Sequence, residues 1–385
     1  DQPFFLYLPT NAPHGPFDEP PSRELWEHFS EKLKGDKKTS RVGFYAMIKN
    51  IDENLGRLLG TLEKVGIDED TIVIFLTDNG PAGGGSAGPF RGAKASVYEG
   101  GIRTVCFLRW PGKIEAGAEI RFTAAHIDLM PTILDFCGAE KPKDVQLDGR
   151  SVRPLIPEKD TIKPQGWADR HLFLQWHRGN EPKRYHNFAA IGPQGRWKLA
   201  FPSKPGNHEF SGRLKLALFD LENDIGETTN VAAEHPEIVE SLKAAYDAWF
   251  DEVTTTREPN FGMPPIVVGA QEEPVVVLTP QDKRVEGPDT AGWWTPGHWP
   301  LEVEKAGPYT IHVRLTEETK QSTEVTLRLD SGEEKWEGSV RFPRGVHSAS
   351  IGEVTFPATG QGRFTAEIEG SEPGGGLNVY QVTIK

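Results

Sequence analysis

The stretch Thr71-Ile-Val-Ile-Phe-Leu-Thr-Asp-Asn-Gly80 decides how the fold reads. Its first six residues are β-branched or apolar on consecutive positions, the pattern of a strand covered on both faces rather than on one. Just upstream, residues 41–65 carry Tyr45, Ile48, Ile51, Leu55, Leu58, Leu59, Leu62 and Val65 at helical spacing, with Gly66 as a natural stop. A helix leading into such a strand predicts an α/β layer architecture with parallel strands. Ligands of open α/β sheets collect outside the carboxyl edge, and Thr77-Asp78-Asn79-Gly80 falls there.

Working outward, residues 4–8 (Phe-Phe-Leu-Tyr-Leu) read as another strand, and 103–109 as a third. A short helix is expected over 128–136. Between 170 and 220, short strand candidates at 171–176, 188–191, 196–201 and 217–221 alternate with Gly and Pro, which predicts a small antiparallel sheet. Pro236 opens a helix running to about Val253. Beyond the Pro-rich 257–265, candidates at 274–278, 309–315, 324–329, 352–356, 362–368 and 377–384 suit a β-sandwich. The expected organisation is a catalytic α/β part over 1–160, an α+β subdomain over 161–256, a linker over 257–265, and an all-β sandwich over 266–385.

With 385 residues, 37% of them hydrophobic, the chain can build ordinary cores, and its apolar runs stop short of a membrane span. A net charge of −13 disfavours a general role on nucleic acid or anionic membrane, which both demand a cationic face. An anionic substrate would need local cations. Cys106 and Cys137 sit among apolar neighbours without metal-like spacing and read as small buried hydrophobes. No cationic and apolar leader stands at Asp1, and the abrupt opening on a strand-like segment suggests that an upstream part is missing.

Three places could carry chemistry. Asp78 and Asn79 offer adjacent hard oxygens suited to Ca2+ or Mg2+, although Asp-Asn-Gly is also good turn chemistry. His14, in Asn11-Ala-Pro-His-Gly-Pro16, follows the strand-like 4–8 and should reach the same edge; the plainer reading is a surface or packing residue. Within Phe90-Arg-Gly-Ala-Lys-Ala-Ser-Val-Tyr-Glu-Gly-Gly-Ile-Arg103, the cations Arg91, Lys94 and Arg103 could receive an anion, or could simply be solvated. Lys94 is the best placed to stabilise charge on a departing oxygen.

Together these segments resemble the arylsulfatase family, within the alkaline-phosphatase-like superfamily, over about residues 3–250. The resemblance is carried by 4–14, Tyr45 through Asp52 to Gly56, Thr77–Gly80, Arg91–Lys94, Tyr98–Arg103, Trp110-Pro-Gly, His126-Ile-Asp-Leu-Met-Pro-Thr, Leu147-Asp-Gly149, and Phe219-Asp-Leu with Glu227 and Asn230. It implies that Asp78 and Asn79 bind the active-site Ca2+ or Mg2+, and that His14 and Lys94 grip the sulfate and its bridging oxygen. In that family a formylglycine, made from Cys or Ser in a Cys/Ser-x-Pro-x-Arg motif, is hydrated to a gem-diol that attacks sulfur. This sequence lacks that motif: Cys106 is followed by Phe-Leu-Arg, Cys137 by Gly-Ala-Glu, and Ser151-Val-Arg-Pro places its proline one position late. One Asp-Asn pair also cannot supply the six to eight oxygens that Ca2+ prefers.

The expectation is therefore a sulfuric ester hydrolase acting on sulfated sugars or polysaccharides, completed by an amino-terminal segment and inactive without it. Its rivals are a phosphonate or phosphodiester hydrolase of the same superfamily, and a non-catalytic carbohydrate-binding protein or inactive remnant. Family habit implies a periplasmic or secreted location. The final domain resembles, more loosely, sandwich-type accessory modules, and Trp293, Trp294 and Trp299 could stack on sugar rings or fill the core.

Overall fold

A computed structural model describes residues 2–15, 17, 22–34, 39–82, 85–156, 167, 169–176, 182–201, 214–256, 264–285, 296–332, 334–356, 360–369 and 377–385. The chain divides into two compact units, one of residues 1–177 and 182–258, the other of 178–181 and 259–385. Of the expected linker, residues 257–263 lie outside the described residues, as do Trp293 and Trp294.

The first unit opens with helix α1 (Arg23–Lys32), whose Leu25 N–H donates to the Ser22 hydroxyl, and α2 (Thr39–Val65). Gly66 adopts φ 75° and lets the Ile67 N–H reach back 3.1 Å to Leu62 O, which ends α2 where the sequence indicates. Strand β1 (Val73–Leu76) follows, then the single turn α3 (Glu99–Ile102) and β2 (Cys106–Arg109). Here the expectation fails in three respects. Strands β1 and β2 pair antiparallel, Val73 opposite Arg109 and Leu76 opposite Cys106, and form a two-stranded sheet. Residues 4–8 form no strand, and Phe4, Phe5, Leu6, Tyr7 and Leu8 are exposed. Cys106 and Cys137 are exposed as well. Apolar sequence is buried only where other elements pack on it, and β1 itself is only half-buried.

Helix α4 (Leu129–Cys137) ends at Gly138 in the left-handed conformation. The meander of β3 (Leu172–Gln175), β4 (Phe188–Ile191), β5 (Trp197–Phe201) and β6 (Ala217–Asp220) is antiparallel in that order, as the segment spacing predicts. Helix α5 (Pro236–Thr255) packs Leu242, Tyr246 and Phe250 against Phe188, Ala190, Leu199 and Leu218 on one face. The opposite face presents Ala189, Ala200 and Phe219 to Val97 and Tyr98. The sheet is thus sandwiched between α5 and the Arg91–Arg103 segment.

The second unit is all-β: β7 (Ile266–Val268), β8 (Val276–Leu278), β9 (Arg284–Val285), β10 (Gly297–Val303), β11 (Gly307–Leu315), β12 (Thr323–Asp330), β13 (Lys335–Phe342), β14 (Ser348–Phe356), β15 (Gly360–Ile368) and β16 (Val379–Ile384). One sheet runs β13-β12-β15-β10-β7 with β9 beside β10, the other β14-β11-β16-β8, and their inner faces share one core. Gly352, at φ 88°, is a bulge inside β14 and not its start, since the register slips between Ile311 and His312 opposite it. Trp299 belongs to β10, where it alternates inward with Leu301 and Val303, is 1% exposed, and donates its Nε1–H to Thr279 O at 2.7 Å. It fills the core and offers no face to a sugar. This strand escaped the sequence reading because Gly297 and Pro300 look like breakers.

Candidate functional site

Asp78 follows β1 directly, as the sequence implies. It is exposed, and its Oδ1 accepts the Asn79 N–H at 2.9 Å; the Asn79 amide nitrogen donates to Gly80 O at 3.0 Å, which leaves Oδ1 of Asn79 as its acceptor. Gly80 is buried, with its N–H on Gly101 O at 2.9 Å, and a Cβ there would run into the Gly100 carbonyl. Only glycine allows this approach. One step on, the Lys94 N–H donates to Pro81 O at 2.9 Å. Residues 78–81 and 91–103 are therefore knitted together by backbone hydrogen bonds, and Lys94 among them is half-buried.

Arg91 and Arg103 each make contacts within the first unit from its surface. The Arg91 guanidinium donates to Glu227 O at 2.8 Å and stacks 4.1 Å over the Tyr98 ring. Arg103 donates to Glu99 Oε2 at 2.8 Å and lies 4.9 Å over the Phe90 ring. Both make these contacts while remaining solvent-exposed. His14 is exposed, with its N–H on Asn11 O and its Nδ1 2.9 Å from Gly15 O. Among the described residues, the hydrogen bonds that knit 78–81 to 91–103 do not include it. The two loops do share a neighbour: the Phe44 ring meets Phe17 at 6.1 Å, and a Cβ on Gly85 would touch the same ring at 3.1 Å.

Two buried charge clusters stand beside these loops; Asp128, Glu99 and Glu227 are quoted from sequence only within family-like motifs, and Arg170 and Lys198 not at all. Asp128, 2% exposed, accepts the Ala125 and Arg150 N–H groups at 2.8 and 2.9 Å and both guanidinium nitrogens of Arg170 at 2.6 Å. Arg170 in turn lies 4.5 Å over Trp167. The turn so fixed presents His126, whose Nε2 is 2.8 Å from the carbonyl of Thr77, the residue before Asp78. In the second cluster, fully buried Lys198 of β5 meets Glu99 Oε1 at 3.0 Å and Glu227 Oε1 at 2.9 Å. Burial pushes the Glu227 carboxyl above its ordinary pKa despite Lys198. Burial also works against Glu99, but the charges and hydrogen bonds of Lys198 and Arg103 outweigh it and hold that carboxyl below its usual range. A lysine inside the apolar run Trp197-Lys-Leu-Ala-Phe201 was the available signal, since a buried ammonium requires counter-charges.

Asp78 and Asn79 fit a hard divalent cation in chemistry, as two of its oxygen ligands. Among the described residues there is no group of three or more His, Cys, Asp or Glu that could hold a metal ion.

With this geometry in place, the comparisons with known proteins agree on a family. The sulfatase model matches residues 1–139, and the model for the C-terminal part of N-sulphoglucosamine sulphohydrolase matches residues 90–249. Together the two models cover residues 1–249, and over that span the chain is similar to sulfatases. It is similar to steryl-sulfatase of Mus musculus, 31% identical over 229 residues, covering 51% of this chain and 35% of the relative. It is also similar to N-acetylgalactosamine-6-sulfatase of Rattus norvegicus, 33% identical over 184 residues, covering 46% of this chain and 31% of the relative. The crystal structure of Ps i-CgsB superposes with a TM-score of 0.53 at 26% identity, covering 64% of this chain and 50% of that one. The chain spans less than half the length of these curated relatives.

Proposed function

We propose that the whole protein hydrolyses sulfate esters of sulfated sugars or polysaccharides, using a formylglycine nucleophile supplied from outside these 385 residues. One observation supports the reading: the hydrogen bonds Gly80 N–H to Gly101 O and Lys94 N–H to Pro81 O tie the backbone that carries Lys94 to the loop that carries Asp78 and Asn79. The likeness to sulfatases supports it, and the amino-sugar sulfatase among the relatives supports the substrate class.

In this reading Asp78 and Asn79 hold Ca2+ or Mg2+, which when bound neutralises charge on the sulfuryl oxygens. The Lys94 ammonium stands by the bridging oxygen and stabilises it as the sulfur–oxygen bond breaks. His14, on the loop that shares Phe44, orients the sulfate. His126 restrains Thr77 and, through it, the direction of the Asp78 carboxylate. The protein is proposed to be exported, to the periplasm or beyond the cell.

The test is turnover by the full-length protein. An aryl sulfate is expected to be hydrolysed in preference to an aryl phosphonate, and Lys94→Ala to lower kcat about 100-fold or more, the scale of a lost transition-state charge stabiliser. Preference for the phosphonate, or an unchanged rate in the variant, refutes the assignment.

A further inference from the structure

We propose that Lys198, far along the chain in the antiparallel meander, is a positioning residue for Lys94. The proposal rests on the functional reading above, which gives Lys94 its role at the leaving oxygen. Residues 91–100 form a closed loop, since the Gly100 N–H returns to Arg91 O at 2.7 Å. Both ends of that loop are tied to Glu227: the Arg91 guanidinium donates to its carbonyl at 2.8 Å, and the Glu99 N–H donates to its Oε2 at 2.6 Å. Lys198 then binds the carboxylates of Glu99 and Glu227 together, from a site with no solvent exposure.

Between these ties lies Lys94, flanked by Gly92 at φ 86° and Ala95 at φ 69°. The left-handed conformation is unfavourable for a residue with a side chain and persists only where the surroundings impose it. Asn187 supplies one such restraint through its amide donor on Ala95 O at 3.2 Å. Lys198 supplies the other, because without it two carboxylates would face each other in a dry interior and the loop would have to move apart. An apolar residue of similar volume would often stabilise a fold as well as a buried ion cluster does. What the charges add is one defined geometry, and the group whose geometry they define is the peptide that carries Lys94.

The experiment compares full-length wild type with Lys198→Met and with the milder Glu227→Gln, each also in a Lys94→Ala background. A positioning role predicts that Lys198→Met lowers kcat by about 10- to 100-fold, the usual consequence of a displaced group, with KM within about twofold. It also predicts little further loss once Lys94 is already absent, because the two act as one unit. Amide hydrogen exchange should speed up at Lys94, Glu99 and Gly100 in Lys198→Met while β10 and β15 remain protected. Glu227→Gln should shift the same amides, by less, if the methionine variant folds poorly. Losses that multiply in the double variant, or exchange that is unchanged in both single variants, overturn the positioning role alone. Absence of sulfate-ester turnover in the wild type overturns the functional reading and the role of Lys94 together.

Discussion

Strand β1 is more apolar than strand β12, yet it is the less buried of the two. In β12, Val325, Leu327 and Leu329 alternate with polar residues and are at most 3% exposed, because the facing sheet of the same unit covers them. In β1, Val73-Ile-Phe-Leu76 is apolar on consecutive positions and only half-buried, and its partner β2 leaves Phe107 65% exposed. Alternation asks for one covering layer, and a continuous apolar run asks for two. The second unit contains the layer its strands call for. In the region around β1 and β2 the two strands pair with each other, and Phe75 stacks on Phe107.

That contrast can be broken by experiment. The largest effect is expected at Asp128→Ala, which leaves Arg170 buried without its carboxylate and should destabilise the first unit by about 3–5 kcal/mol. Denaturant unfolding followed by Trp fluorescence would measure it, and a loss under about 1 kcal/mol would show that the cluster is ornamental. Leu327→Ala, in the sandwich core, should cost the second unit about 2–5 kcal/mol. The matched change Phe107→Ala should stay within about 0.5 kcal/mol, as surface substitutions do, so equal losses at the two sites would erase the distinction drawn here.

The smallest effect concerns pH. A hydrogen bond from Arg196, aided by Asn223 and opposed by burial, holds the Asp220 carboxyl at about 2, against 3.8 for the ordinary group. A folded-state value below the unfolded one contributes stability that is complete above pH 3.8 and lost as pH falls through about 2. Carbon-detected NMR titration of Arg196→Gln should therefore find Asp220 moved up towards 3.8, with acid unfolding starting at higher pH. An unmoved carboxyl would remove Arg196 as the cause.

Much of the architecture was legible because it is set by local pattern. Helix α2 and its glycine stop, the four-stranded meander, α5 and most of the sandwich follow from periodicity and turn residues. Strands β10 and β13 were missed: Gly297 and Pro300 masked the inward alternation of Trp299, Leu301 and Val303, and Gly338 interrupts β13. The pairing of β1 with β2 was misread because periodicity says how many faces a strand wants covered, and nothing about which strand pairs with it or in which direction.

The sequence by itself determined the likeness to sulfatases, the placement of Asp78 and Asn79 after a strand, and the candidacy of Lys94, because each rests on neighbours along the chain. Only the tertiary structure decided that Arg91 bonds to Glu227 and Arg103 to Glu99, that Trp299 is core, and that Lys198 reaches back to Glu99 across 99 residues. Charges stabilise one another according to distance and burial, and neither quantity exists until the chain has folded.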